Sequence, residues 1–575
     1  MLDFLRVDFL TLMILLPMVG ALVVFLLPQE RKQEARWIAL GVSLVVLVMA
    51  IGVFYAVQAN PPNSPDEWAF EEEAEWFPQI NAAWHVGVDS LSATMILLTG
   101  LLVPLAILIS FEITERVQAA MALFLFLETG MLGVFCALDM MIFFLFWEIG
   151  LVPMYFLIFL WGGKNRRYAA NKFFLYTMAG SLGLLLATQL IGHLVGTFDI
   201  PDMLRVWPTL TGEDNELLGV DYSIVKYYAL LGFALAFLIK IPAWPFHTWL
   251  PDAHTEAPTG GSMLLAGVLL KLGAYGFLRL AIPLFPYEWT STRELVSLEY
   301  NLVDVLGFLA VAGIVLGALA AWGQNDFKRL VAYSSVNHMG FVVLGLAVAA
   351  LMYGTTWAEE QAQAGNYSYL KNIAGIEVPE GVSDQSEVDK LYPPEQREDD
   401  RENARLAMNG AVLQMFNHGL SSAGMFLLAG ALYHKAHTRD LRKFGGLWDI
   451  IPVFGALLIF TSMASLGLPG LNGFVGEFLI VSGAFRTYPV YVLLSMLGLL
   501  VTGIYILKGI QKLLHGPYNE QWAAYHENEH SLEIERREVI ALAPLVVLML
   551  VTGLYPNWVL EVINDGVVTF FTLGG

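Results

Sequence analysis

Cysteine is all but missing from this sequence: Cys136 is the only one, and it lies in an apolar run. Disulfides within the chain and thiolate metal sites are therefore excluded. Charge is scarce as well. Charged residues make up 14% of the chain, where soluble globular domains carry roughly a quarter. No glycine-rich dinucleotide fingerprint follows a strand, and there is no phosphate loop and no paired-cysteine motif. Redox chemistry or nucleotide hydrolysis, if coupled to this chain, falls to partners. The formal charge of -21 gives no case for nucleic-acid binding.

What the sequence has in abundance is apolar length: 57% of its 575 residues are hydrophobic. Runs long enough to cross a bilayer fall at about 8–27, 37–57, 90–110, 118–136, 138–161, 172–196, 227–249, 260–282, 304–322, 328–352, 407–433, 451–484, 489–509 and 538–556, here called spans 1 to 14. The first 27 residues offer no small-residue cleavage site and read as a retained span rather than a signal peptide. Lys and Arg concentrate in the connections after spans 1, 3, 5, 9, 11 and 13, including Arg31, Lys164, Arg167, Arg439 and Lys443. The positive-inside rule then puts both termini outside the cytoplasm. Acidic residues such as Glu71, Glu73 and Asp214 gather on the outer side. The segment Asn60–His85, with Pro61, Pro62 and Pro65, reads as a surface excursion, and 355–405 as a long acidic outer loop that is partly disordered or functional.

Against this apolar background a few ionisable residues stand out. Lys240 falls in the middle of span 7, with Pro242 and Pro245 directly after it. A lysine at that depth is costly unless paired, hydrated or turned into the protein, and Pro242 breaks the helix beside it. The bland alternative is a lysine snorkelling from a helix end. Glu148 in span 5 has apolar neighbours and Pro153 close by; it is either neutral or ionised beside a cation, unless it only bonds a carbonyl. Lys271 sits in the middle of span 8, His338 early in span 10, His418 in span 11, and Glu477 just past the interruption LGLPGLNG in span 12. The histidines are proton carriers or satisfied core residues. His247 and His254 read as surface or pathway-mouth histidines, since Pro251 between them argues against one ligating helix face. Broken helices at spans 7 and 12 recur five spans apart. An odd-numbered block repeated once returns inverted, a transporter layout.

The fold expected is thus an all-α integral membrane protein of about 14 transmembrane helices, with two inverted five-helix repeats that each contain a broken helix. Spans 1 to 3 occupy 1–117, the repeats 118–282 and 304–509, and a connection with span 14 occupies 510–575. Proton or cation translocation accounts for all six buried groups and both breaks. An organic-substrate carrier would add a polar binding cluster, and a scaffold explains neither feature.

The segments KIPAWPFHTWLPDAHTEAPT, LLKLGAYGF, AYSSVNHMGF, FNHGLSSAGMF and LGLPGLNGFVGEF resemble the antiporter-like subunits of respiratory complex I, closely over about 85–350 and 405–510. Glu477, where sister subunits carry lysine, and the lack of room for a lateral helix after span 14 point to the subunit M (chain 4) branch. The long loop 355–405 departs from the pattern. The resemblance implies that Glu148 and Lys240 form the coupled pair of a first half-channel, that Lys271, His338 and His418 continue a hydrated axis, and that Glu477 connects to the opposite side. It implies a bacterial inner-membrane location and, as partners, lipids and the other membrane subunits of the complex, sister antiporter-like subunits included. NADH, FMN, iron-sulfur clusters and quinone would belong to partner subunits, with no cofactor or metal in this chain. Related cation/proton antiporter and membrane-bound hydrogenase subunits share much of the pattern.

Overall fold

The computed structural model describes residues 8–210, 221–295, 298–364, 366, 369, 372–373, 376–378, 384–517, 519–527 and 531–572. Helix makes up most of every one of the fourteen apolar runs. Eleven helices among the described residues are long and apolar enough to cross a membrane. Burial sorts them into centre and rim. In Thr259–Leu284 and Phe327–Gln363, 94% of the apolar window is buried inside the protein, against 33% in Pro489–Leu513 and Arg536–Leu554. The two central helices are spans 8 and 10, which carry Lys271 and His338.

Strand is present too, which corrects the all-α expectation. Ala69–Phe77 and Ala82–Val88 pair antiparallel, and two shorter hairpins involve Arg293–Leu295 with Leu298–Tyr300 and Asn372–Ile373 with Ile376–Glu377. The first hairpin is built from the stretch expected to be a surface excursion, and it is anchored. Glu72 accepts hydrogen bonds from the Leu10 N–H at 2.6 Å, the Thr11 N–H at 2.9 Å and the Thr11 hydroxyl at 2.6 Å. Span 1, Phe9–Phe25, makes no side-chain cap of its own at Asp8. Its free N–H groups and positive dipole end are met by a carboxylate from 61 residues away. The side of the molecule bearing this hairpin is called the hairpin face below.

The described parts of 355–405 are also more ordered than their composition suggests. Span 10 runs on as helix to Gln363, and the helix of span 11 starts at Pro394 and ends at Ala436. Its first turns are rich in Glu, Gln, Arg and Ala, all good helix formers. The two extensions are tied together by Glu359, which pairs with Arg397 at 3.2 Å and Arg401 at 2.8 Å, over a small core containing Trp357, Val388 and Tyr392. Past span 14 the chain adds a further helix, Asn557–Phe571, which packs on spans 3 and 11.

Helix interruptions are more numerous than two. Span 7 is helical over Tyr222–Lys240 and resumes as the short helix Trp249–Glu256. Lys240 is consequently the last residue of its helix rather than a mid-helix residue. The break leaves few orphaned carbonyls: Phe237 O takes the Ile241 N–H, Leu238 O takes the Ala243 N–H, and Ile239 O takes the Trp249 indole N–H at 3.0 Å. Span 12 divides into Pro452–Leu466 and Asn472–Ala484, with Gly467 and Gly470 at positive φ of 82° and 93°. Span 5 divides at Gly150 into Met140–Ile149 and Leu151–Trp161, because Pro153 has no N–H for the Ile149 carbonyl. Span 8 stays helical but contains two π-helical turns, Leu265–Leu269 and Phe277–Ala281, on either side of Lys271. Such turns recur at functional sites.

Candidate functional site

The six expected groups divide into two sets. The first set is Glu148 and Lys240. Glu148 stands at the end of Met140–Ile149, and one of its carboxylate oxygens, Oε1, is buried without a hydrogen-bond partner. Lys240 is 3% exposed, with its ammonium 4.8 Å from the centre of the Trp147 ring. Glu148 is the carboxylate whose charge acts on Lys240, yet no ion pair within 4.0 Å joins the two. Lys240 is held instead by the face of Trp147 and by the negative end of the helix dipole it terminates. Trp147 is in turn fixed by its indole N–H, which donates to the Ser181 hydroxyl at 3.0 Å.

The second set is continuous. Lys271, fully buried, donates to the Ala266 carbonyl at 2.5 Å and to Nδ1 of His418 at 2.7 Å. The His418 ring lies 5.8 Å from the His338 ring, and its Nε2 is buried without a partner. Nδ1 of His338 meets Oε1 of Glu477 at 2.7 Å, and the Gln414 amide donates to the same oxygen at 3.0 Å. Behind the His338 ring stand the Ser465 and Tyr505 hydroxyls, each 3.4 Å from Nε2. Spans 8, 10, 11 and 12 thus bring together four residues spread over more than 200 positions. The geometry at the span 12 break is locked by two reciprocal amide bonds. Asn417 donates to the Asn472 carbonyl at 2.7 Å, and Asn472 to the Asn417 carbonyl at 3.1 Å.

Three buried groups join these without having been expected. His254 is fully buried, not at a surface or a pathway mouth. Both its ring nitrogens lack partners, and its ring stacks on Phe426 at 4.2 Å. The short helix after the break turns inward and carries it there, within Coulombic reach of Lys271 and Lys328. Lys328 is 2% exposed and donates to the Ala257 carbonyl at 2.9 Å. Beside this helix a cavity of about 330 Å³, on the face opposite the hairpin, is lined by Asp252, Glu256, Asp326, Arg329 and Arg439. Its ion pairs join Arg439 to Asp326 at 3.1 Å and Arg329 to Asp252 at 3.2 Å, while Arg439 also donates to the Thr255 carbonyl. The third group is Glu128 in Val117–Cys136, fully buried with both carboxylate oxygens unpartnered. An acidic residue inside the run LFLFLETGML carries the same signal that singles out Glu148.

Chemically, the second set can hand a proton from group to group only where water bridges the wider gaps, as between the His418 and His338 rings. No group of three His, Cys, Asp or Glu side chains suited to a metal ion occurs among the described residues.

Comparison with known proteins fits this geometry. Residues 137–365 and 403–504 match the family described as NADH:quinone oxidoreductase/Mrp antiporter, transmembrane. NADH-quinone oxidoreductase subunit M of Pseudomonas aeruginosa is 36% identical over 96% of this chain and 95% of its own length. Subunit M of Escherichia coli is 36% identical over 96% of both chains. Among solved structures, a chain of respiratory complex I from Thermus thermophilus with bound NADH superposes with a TM-score of 0.75 at 27% identity, over 98% of this chain and all of that one. The family match stops at 365 and resumes at 403, so the segment between, with the Glu359 clamp at its edge, lies outside the shared pattern. The chain belongs to the NADH:quinone oxidoreductase/Mrp antiporter transmembrane family, and within it to the antiporter-like subunits M of NADH-quinone oxidoreductase.

Proposed function

We propose that this chain moves protons across a bacterial inner membrane as part of a proton-translocating NADH:quinone oxidoreductase, driven by quinone reduction elsewhere in the complex. The observation that supports this reading is the run of buried ionisable groups from Lys328 through His254, Lys271 and His418 to His338 and Glu477, with bonds of 2.7 Å at Lys271–His418 and His338–Glu477. A scaffold gains nothing from such groups, each costly to bury. In this reading Glu148 and Lys240 are the switch, and Lys271, His338, His418 and Glu477 carry the proton. When a neighbouring subunit changes charge, Glu148 shifts relative to Lys240, and the lysine's hold on its proton changes with it. The chain crosses the membrane fourteen times, with both termini and the hairpin face outside. Residues 118–282 and 304–509 form two inverted five-span repeats, an arrangement supported by the recurrence of a broken helix in spans 7 and 12. Lipids and the other membrane subunits, sister antiporter-like chains included, are its partners, and NADH, FMN, iron-sulfur clusters and quinone are bound by other subunits.

The test is proton pumping and NADH:quinone turnover measured together on reconstituted complex. Lys240→Ala is expected to remove most of the protons moved per electron, and Lys240→Arg to restore little, because a guanidinium does not release its proton. A fully assembled Lys240→Ala complex that pumps with unchanged stoichiometry would overturn the reading.

A further inference from the structure

Beyond Lys271, helix Thr259–Leu284 carries two more polar groups that the path to Glu477 does not use. Tyr275, one turn on, is 2% exposed; its hydroxyl donates to the Phe135 carbonyl at 3.1 Å and accepts from Nε of Arg279 at 3.1 Å. The Arg279 guanidinium meets Asp89 at 2.7 Å and lies 4.7 Å from the centre of the Trp68 ring. Asp89 is itself committed, capping helix Ser90–Ile109 by accepting the Ser92 N–H at 2.8 Å. Trp68, Asp89, Tyr275 and Arg279 together line a cavity of about 440 Å³ on the hairpin face, whose wall also carries Asp66 and Glu360. A cavity whose largely apolar wall carries Asp66, Asp89, Arg279 and Glu360 thus stands two helical turns from Lys271, with Tyr275 and the Arg279–Asp89 pair between them.

Resting on the proton-carrying reading above, we propose that this cavity is an aqueous vestibule and that Arg279 seals it, its fixed positive charge barring protons from returning along span 8 to Lys271. A guanidinium keeps its charge at every working pH, so unlike lysine or histidine it cannot relay a proton. A positive charge fixed in a narrow polar passage repels hydronium and other cations. Asp89 and Trp68 hold the guanidinium in place, Asp89 through the ion pair and Trp68 with its ring face. Tyr275 spends its one O–H on the Phe135 carbonyl, so at rest the hydroxyl does not point a proton towards the cavity. Arg279 is on this account a residue that sets direction, without taking part in proton transfer.

The experiment measures collapse of an imposed pH gradient across proteoliposomes holding the whole complex, with no electron donor present. Arg279→Gln is expected to speed the collapse about tenfold, the lower end of what one sign of charge does to ion access in a cleft. Arg279→Lys retains a charge but can give up its proton, so it is expected to leak less than Arg279→Gln and more than the parent. Asp89→Asn breaks the same ion pair but keeps both the positive charge and a good helix cap, so it stays tight. A brace between helices would behave differently, leaking equally in Arg279→Gln and Asp89→Asn, and that result overturns the proposal, as does an Arg279→Gln complex as tight as the parent. Should Arg279→Gln fail to assemble, the double variant with Asp89→Asn, which leaves no unpaired carboxylate, carries the same expectation. Supplying NADH and quinone to the same vesicles reports protons per electron, so failure of the seal and failure of the proton path are read separately.

Discussion

At the break in span 7, Lys240 ends its helix over the Trp147 ring, and Glu148 acts on it without touching it. At the break in span 12, Glu477 accepts from Gln414 and meets His338 at 2.7 Å, while Asn417 and Asn472 pin the two helices on either side. Both regions bury charge beside a broken helix, but one leaves its carboxylate and ammonium without a bond between them. The other ties its carboxylate to His338 and Gln414, even though the amide oxygens of Gln414, Asn417 and Asn472 stay unpartnered. A hydrogen bond to a charged group contributes about 1.5–3 kcal/mol, and an ion buried without a partner costs several kcal/mol. Lys240 is held by weaker means, a ring face worth about 2 kcal/mol when desolvated and a helix end worth up to about 2 kcal/mol. The span 7 region is therefore near balance, where a small change in a neighbouring charge has a large effect. The span 12 region is settled and resists such a change.

The sharpest way to break this contrast is to truncate the two carboxylates. Glu148→Ala removes a group with one oxygen already unpartnered, so the complex should assemble and melt as before while losing most of its coupled proton movement. Glu477→Ala strands both His338 and Gln414, and should cost about 3 kcal/mol in addition to the loss of pumping. Thermal unfolding and protons per electron, measured on the same preparations, check this; equal destabilisation by both variants would erase the difference between the regions. Glu477→Gln keeps an acceptor oxygen for Gln414, so it should restore stability without restoring pumping.

A smaller effect is expected at the span 12 break itself. Gly467 has φ of 82°, and a Cβ there would sit 3.4 Å from Oε2 of Glu477. Gly467→Ala should cost about 1–2 kcal/mol through the left-handed backbone alone, and relief of that strain at the break should lower proton movement part of the way. Gly41, in Lys32–Ala59 with open space around it, is the control, and Gly41→Ala, which puts a better helix former inside a helix, should cost no stability and leave pumping unchanged. A neutral Gly467→Ala would mean that the break is not held as tightly as the amide pair suggests.

The smallest effect lies outside the spans, in the hairpin. His85 sits between Asp199 at 2.5 Å and Glu71 at 3.0 Å. Burial disfavours its charged form, but the hydrogen bonds to Asp199 and Glu71 outweigh burial and raise its pKa above the usual 6.5. A folded pKa above the unfolded one means that the imidazolium's contribution is complete below about 6.5 and is lost as pH rises through the folded value. Amide hydrogen exchange in Ala69–Phe77 and Ala82–Val88, corrected for intrinsic rates, should therefore quicken modestly across that window, and His85→Gln should remove the pH dependence. Exchange protection that does not change with pH in the parent would show the imidazolium to be immaterial to the hairpin.

Much of the architecture could be read from the order of residues, because a lipid environment leaves the chain little choice. A long apolar run must satisfy its backbone internally, so it is helical, and Pro242 and the glycines of LGLPGLNG must interrupt it. The six ionisable residues stood out for the same reason: each is anomalous against apolar neighbours. The same signal was present at Glu128 and would have found it. Lys328 was masked by its place at a join between spans, and His254 by the polar residues around it in HTWLPDAHTEA. The order of segment 394–405 was hidden because acidic composition alone does not separate a solvated loop from a helix braced by Arg397 and Arg401 on Glu359.

By itself, then, the sequence determined which residues are too costly to bury without a purpose and where helices must break, since both follow from local chemistry in a fixed environment. Only the tertiary structure decided which of those residues meet. Nothing in the spacing of Lys271 and His418, or of His338 and Glu477, sets them 2.7 Å apart, and nothing near Glu148 keeps it from Lys240. Those distances depend on how spans 5, 7, 8, 10, 11 and 12 pack around one another, and packing is a property of all the helices together.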